Sequence, residues 1–226
     1  MNIAWTVLTD GRKHYIEEAL PTWIKYFDNV ISKKFIIDDS GDPEYRQWLE
    51  QTFPSFKLIP VGPVRSGYDA AMKKLFTIVK TYSIDYCLHI EDDFILHKTF
   101  FIDDLISIMQ KHKNVAQVSL MRQPWYHNEH EHGGLIEAIQ ANNPTAHFNE
   151  RNDNGIIWTE HQAYWTCNPS IFPSWITKFG WPDGAWSESR FSKQIFKAKK
   201  TCGIFGARKD WPYVEHIGRE RYGNKY

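Results

Sequence analysis

Residues 84–96 read IDYCLHIEDDFIL. A run of strand-forming residues ends in three consecutive acids, Glu91, Asp92 and Asp93, and a second apolar triplet follows at once. Length and residue type make 84–90 a strand. In open parallel sheets, ligands bind beyond the carboxyl ends of the strands, so these acids stand where a ligand belongs. Adjacent carboxylates repel, and their pKa values rise unless a cation joins them. Mg²⁺ and Mn²⁺ accept such oxygen ligands together with phosphate oxygens and water. The bare pattern therefore points to metal–diphosphate chemistry. A solvated acidic turn is the plainer alternative, and placement at a strand end weighs against it.

The pattern around this strand decides the fold class. Residues 2–8, 34–38, 56–61 and 115–121 are also predicted strands, separated by helical spacing over 13–27, 43–53, 68–82 and 99–112. Pro21 should kink the first helix or start a new turn of it. Asp42-Pro43 matches an N-cap and first helical position. This alternation predicts a Rossmann-like α/β fold with a mostly parallel sheet and helices on both faces. Residues 122–168 show no clean periodicity; 171–179 and 187–200 read as helical, and 203–217 as short strands.

Composition narrows the class of protein. The chain has 226 residues, with 27 Lys+Arg balancing 27 Asp+Glu, so nothing demands a polyanionic partner. Its 10 Trp offer stacking surfaces, though most should be core. Three widely spaced cysteines, Cys87, Cys167 and Cys202, do not make a disulfide framework and suit a reducing compartment. No apolar run is long enough to span a bilayer, so the expected location is the cytoplasm.

Strand–Asp-Gly-Arg, strand–Asp-Asp-Ser-Gly, a Gly-containing loop into a helix, and then His-Ile-Glu-Asp-Asp-Phe together resemble the GT-A glycosyltransferases. The resemblance is strongest to glycosyltransferase family 2 and its phage-encoded relatives. It covers most of 2–121 and returns in 163–218. It implies one GT-A domain over 1–226, with a nucleotide-sugar-binding half (1–121) and an acceptor-binding half (122–226). Glu91-Asp92-Asp93 matches the family's Asp-x-Asp motif with Glu in first place. By that match Asp93 is the direct metal ligand, Glu91 contacts ribose or a metal-bound water, and Asp92 lies in the donor site. Thr9 and Arg12 would flank the nucleoside. Asp39, with Asp38 as the neighbouring alternative, would pair with base or ribose. Arg65 would approach the donor. The family's Ala-Arg-Asn-x-Gly is replaced here by Ala71-Met72-Lys73-Lys74-Leu75, which departs from the usual contacts of that helix. Glu188, or second to it Asp183, fits the acceptor's general base. His216 matches a late His that closes the metal site, and Arg219 and Arg221 stand just beyond it, placed to neutralise diphosphate.

The implied activity is a metal-dependent hexosyl- or pentosyltransferase, with inversion being what a base at Glu188 implies. It would use Mn²⁺ or Mg²⁺ and a nucleoside diphosphate sugar donor. The acceptor would be a hydroxyl group, with a hydroxymethylated base in DNA as one specific case, and a phage-encoded chain would then work in the host cytoplasm. A nucleotidyltransferase is the rival enzyme, and an inactive GT-A scaffold that binds carbohydrate or nucleic acid is the non-enzymatic rival. The segment 127–132, HNEHEH, matches no zinc signature. With Gly133-Gly134 behind it, it reads better as a lid.

Overall fold

The computed structural model describes residues 1–219. The first half runs β1 (Ile3–Thr9), α1 (Lys13–Phe27), β2 (Lys33–Asp38), α2 (Pro43–Thr52), β3 (Lys57–Pro60), α3 (Tyr68–Thr81), β4 (Tyr86–Glu91), β5 (Phe94–Leu96), α4 (Ile102–Lys111) and β6 (Val115–Leu120). The second half adds α5 (His127–His132), α6 (Leu135–Asn142), β7 (Phe148–Asp153), β8 (Ile156–His161), β9 (Ser170–Pro173), a 3-10 helix (Ser174–Phe179), α7 (Ser187–Lys197), β10 (Thr201–Phe205) and β11 (Val214–His216).

Nine strands form one sheet in the order β3-β2-β1-β4-β9-β6-β10-β8-β7. Only β9 and β8 run against the rest, so the expected mostly parallel sheet is present. β4 lies between β1 and β9, deep in the sheet, and Leu8 pairs with Glu91 at its end.

Side-chain alternation along β4 sorts its residues between two cores. Leu88 and Ile90 join the cluster beneath α1, α2 and α4; Cys87 joins the cluster beneath α3, α7 and the 3-10 helix. Helices thus cover both faces. In α1, Ile16, Leu20, Trp23 and Phe27 form one buried stripe at helical spacing. In α2, Asp42 caps the helix by accepting from Glu44 N at 2.8 Å and Tyr45 N at 3.3 Å, with Pro43 in the first turn.

Helix α1 spans the expected residues 13–27 with Pro21 inside it. Two sequence expectations need correction. Residues 171–173, read as helix, belong to β9, a fully buried strand, and only 174–179 turn as a 3-10 helix. A short apolar run buried on both faces of a sheet looks the same in sequence as a buried helix segment. The stretch 122–168, which lacks periodicity, contains two short helices and the β7–β8 hairpin. The mostly exposed polar residues of β7 explain the missing signal.

Trp23 ties α1 to the strand beyond the acids: its indole Nε1 donates to the Phe94 carbonyl at 2.7 Å inside the core. We expect Trp23→Phe to keep the apolar bulk, leave that buried carbonyl unpaired and lower stability by about 1–3 kcal/mol in urea denaturation.

Candidate active site

The end of β4 sends its acids to different sides. Asp92 turns toward β1. It accepts from Thr9 Oγ1 at 2.7 Å and from Arg12 Nη2. Thr9 is also bonded to Tyr45 of α2 at 2.6 Å. Asp93 accepts from Arg12 Nη1 at 2.7 Å through Oδ2. Its other oxygen, Oδ1, is buried with no hydrogen-bond partner among the described residues. One guanidinium therefore bridges two neighbouring carboxylates. Burial alone would lower the Arg12 pKa, but Asp92, Asp93, Asp10 and Glu91 outweigh it and hold the group charged.

The three acids do not titrate alike. Burial, then the charges of Asp93 and Glu188, push Glu91 well above the carboxylate range. Burial also pushes Asp92 upward despite Arg12 and Thr9. Asp93 pays the same desolvation, but His216 and Arg12 more than offset it and its pKa falls below the usual value. Asp93 is the member of the triplet most firmly ionised.

A two-stranded ribbon brings His216 to Asp93. β11 pairs antiparallel with β5, setting His216 opposite Phe94. The imidazole stacks on Phe94 with centroids 4.5 Å apart and lies 4.1 Å from Trp125. Its Nε2 stands 3.4 Å from Asp93 Oδ2, at the long limit of a hydrogen bond. Gln123 holds the backbone on this side: its Oε1 accepts from His216 N and its Nε2 donates to His216 O, both at 2.9 Å. Gly218 lies so close that a Cβ there would fall 2.0 Å from Asp93 Oδ2. Arg219 is exposed, and its N–H donates to the Tyr15 hydroxyl at 2.8 Å. Arg221 lies outside the described residues.

The β2 end carries the expected nucleoside-binding acid. Asp39 is buried and accepts from Ser66 N at 2.8 Å and Gly67 N at 2.7 Å, which pins the loop before α3. Asp38 instead accepts from Ser40 N at 2.9 Å and Arg46 Nε at 2.6 Å. The two acids thus have separate partners. Arg65, from the pinned loop, donates to the Asp10 carbonyl and lies 3.7 Å from the Asp10 carboxylate. Gly41 makes this approach possible, because a Cβ there would meet the backbone of Val64 and Arg65 at 2.7 Å.

Glu188 opens α7 and accepts from Cys167 N at 3.1 Å. Burial raises its pKa, and the hydrogen bonds from Cys167 N and the Thr166 hydroxyl pull it partly back. Its charge interacts with Glu91, which puts it across from the β4 end. Asp183 is elsewhere: its side chain is 89% exposed and paired with Lys73. The structure thus gathers Thr9, Arg12, Glu91, Asp92, Asp93, His216 and Glu188 around one strand end, with Asp39 and Arg65 on the adjoining loop. Sequence reasoning gave no site role to Gln123, Trp125, Phe94, Tyr68 or Cys167, although Phe94 closes the acidic motif and Trp125 stands beside the His-rich stretch.

The histidine-rich stretch is the helix α5, closed by Gly133 and Gly134, both at positive φ. His127 is 90% exposed and pairs with Glu131, and His132 Nδ1 contacts the Asn128 carbonyl. The helix is anchored by Glu129, whose carboxylate takes Arg122 Nη1 and Nη2 at 2.6 and 2.8 Å and Trp125 N at 2.7 Å. That ion pair is buried and fixes the segment carrying Gln123 and Trp125.

The residues present fit a divalent cation at Asp93 and His216. Asp93 is ionised with one buried oxygen unsatisfied, and the long His216 contact is readily exchanged for a shared ion. Asp92, taken up by Thr9 and Arg12, is placed to hold Arg12 and Asp93 in position.

This sheet, with its acidic strand end and late ribbon, is the GT-A glycosyltransferase fold. Among solved structures, S. aureus TarS 1–349 matches with a TM-score of 0.60 at 12% identity, over 96% of this chain and 60% of that one. The same TarS fragment in complex with UDP-GlcNAc matches with a TM-score of 0.62 at 13% identity, over 98% of this chain and 60% of that one. The mannosyltransferase PcManGT from Pyrobaculum calidifontis, in complex with GDP-Man and Mn²⁺, gives 0.57 at 14% identity, over 89% of this chain and 53% of that one. The chain therefore spans little more than half the length of these structures. No family model and no curated protein matches it. Among the described residues, no helix is long and apolar enough to cross a membrane.

Glu129 is the residue whose loss should disturb the site from a distance. Glu129→Gln leaves Arg122 buried and unpaired, and we expect a loss of about 3–5 kcal/mol at neutral pH by denaturant unfolding. Although burial opposes it, the Arg122 contact depresses the folded pKa of Glu129. This contribution is complete above the unfolded value of about 4.3 and is lost as pH falls through the folded one, so parent and variant should converge in acid.

Proposed function

We propose that the protein is a metal-dependent glycosyltransferase that moves a sugar from a nucleoside diphosphate sugar to a hydroxyl acceptor. The observation that carries this reading is the state of Asp93. It is an ionised carboxylate at the end of β4 with one unsatisfied oxygen, and His216 lies beside it. Asp93 and His216 would hold Mn²⁺ or Mg²⁺, whose positive charge would stabilise the nucleoside diphosphate as leaving group. Arg12 keeps Asp93 oriented. Asp39 and the loop it pins shape the nucleoside side, with Thr9 and Arg65 beside them. The TarS and PcManGT complexes, with UDP-GlcNAc and with GDP-Man and Mn²⁺, support a donor of this class.

Glu188 is the proposed general base. Its carboxylate is fixed by the Cys167 N–H and faces the β4 end, where the acceptor hydroxyl would meet the donor. In-line attack by a hydroxyl that passes its proton to Glu188 inverts the anomeric centre. A raised Glu188 pKa retains enough basicity for that task and makes transfer fall as the carboxylate protonates. Asp183 is the second candidate, less favoured because it is exposed and paired with Lys73. For the acceptor, a hydroxymethylated base in DNA is the specific proposal, resting on the resemblance to phage-encoded transferases.

A panel of nucleoside diphosphate sugars with Mn²⁺ or Mg²⁺ tests the reading, with hydroxymethylated DNA and simple glycosides as acceptors. Release of nucleoside diphosphate is expected; release of pyrophosphate would instead mark nucleotidyl transfer. Asp93→Asn should abolish metal-dependent donor binding in calorimetry. Glu188→Gln should preserve that binding and slow transfer by about 10²–10⁴-fold. Undiminished metal-dependent binding by Asp93→Asn would refute the assignment.

A further inference from the structure

A second group of ligands lies on the other side of the same strand end. His89 and Glu91 are two residues apart on β4, so both side chains point to the face covered by α3 and α7. Cys167, from the segment before β9, approaches them there. One ligand atom from each of His89, Glu91 and Cys167 lies within 4.8 Å of the other two. No other group of three His, Cys, Asp or Glu side chains among the described residues converges in this way.

The imidazole is prepared for a ligand. His89 is fully buried. Its Nδ1 lies 3.1 Å from Thr6 Oγ1, and that hydroxyl in turn reaches the Leu88 carbonyl at 3.4 Å. When Thr6 donates to Leu88, its oxygen accepts from Nδ1–H, and the Nε2 lone pair is left available for a ligand. Nε2 has no hydrogen-bond partner among the described residues. Left unpaired in either tautomer, it would cost about 1–3 kcal/mol. The buried Tyr68 hydroxyl stands next to the Cys167 thiol and is hydrogen-bonded to it. An unpartnered imidazole nitrogen beside a thiol and a carboxylate is a ligand set suited to a cation.

We propose that His89 Nε2, Cys167 Sγ and a Glu91 carboxylate oxygen bind a zinc ion, distinct from the Mn²⁺ or Mg²⁺ at Asp93 and His216. Ligand chemistry separates the two sites. Thiolate and imidazole favour zinc, whereas Mn²⁺ and Mg²⁺ prefer oxygen. Zn–N and Zn–O bonds of about 2.0 Å and a Zn–S bond of about 2.3 Å place tetrahedral ligand atoms about 3.3–3.5 Å apart, so the trio need close by at most about 1.5 Å. Three protein ligands leave a fourth position for water or another oxygen. Thr6 is the outer partner that sets the imidazole orientation. The cation would also neutralise Glu91 where it faces Asp93 and Glu188. The proposal depends on these residues alone and stands whether or not the chain transfers sugar.

The test loads the purified, reduced chain with Co²⁺ or Zn²⁺, desalts it, and measures metal content and absorption. About one zinc per chain and a sulfur-to-cobalt charge-transfer band are expected in the parent protein. Cys167→Ser should lose the band, and His89→Gln the retained zinc, while Asp93→Asn keeps both. Thr6→Val should weaken zinc binding by about 10–100-fold. Absence of the band from folded parent protein, or a band that survives Cys167→Ser, would overturn the proposal. The parent spectrum needs no variant to fold, and neither measurement depends on transferase activity.

Discussion

The Arg12 bridge between Asp92 and Asp93 is the contact on which the site depends. Three adjacent acids at the end of a buried strand would repel one another and distort the turn. A guanidinium from the β1 end spreads one positive charge over two of them. Thr9 completes the anchor from the same strand end. β1 and β4 are hydrogen-bonded neighbours, so the clamp is built between two adjacent strands of the central sheet. It also makes the three acids unequal: Asp92 becomes an anchor, Asp93 a partly satisfied anion, and Glu91 a group turned toward the opposite face.

That inequality gives one strand end two chemically different sides. On the Asp93 side, the β5–β11 ribbon adds an imidazole held between Phe94 and Trp125. On the Glu91 side, α7 adds Glu188, the segment before β9 adds Cys167 and α3 adds Tyr68. The oxygen-rich half suits a hard cation. The half with imidazole and thiol suits a softer ion. Neither half exists until the second half of the chain folds back: β9 inserts beside β4, and β11 pairs with β5.

Much of the first half was legible because its signals are local. Alternating apolar strands and amphipathic helices between residues 2 and 121 correspond to β1–β4, β6 and α1–α4 within a few residues. β5 was missed because three residues carry too little pattern, and β9 was taken for helix because burial on both faces erases alternation. The His-rich stretch drew attention through composition, yet its helix holds its histidines outward and is anchored by Arg122 and Glu129.

The sequence by itself determined the alternating α/β order and the position of three acids at a strand end, because both follow from residue type and short-range periodicity. It also marked Asp39, Glu188 and His216 as polar residues worth placing. Only the tertiary structure decided which acid is clamped, which retains a free oxygen, and which faces a thiol. Those outcomes depend on pairs such as Arg12–Asp93 and His216–Asp93 and on the approach of Cys167 to His89, all far apart in the chain. Contacts of that separation arise from strand order and register, which no local pattern encodes.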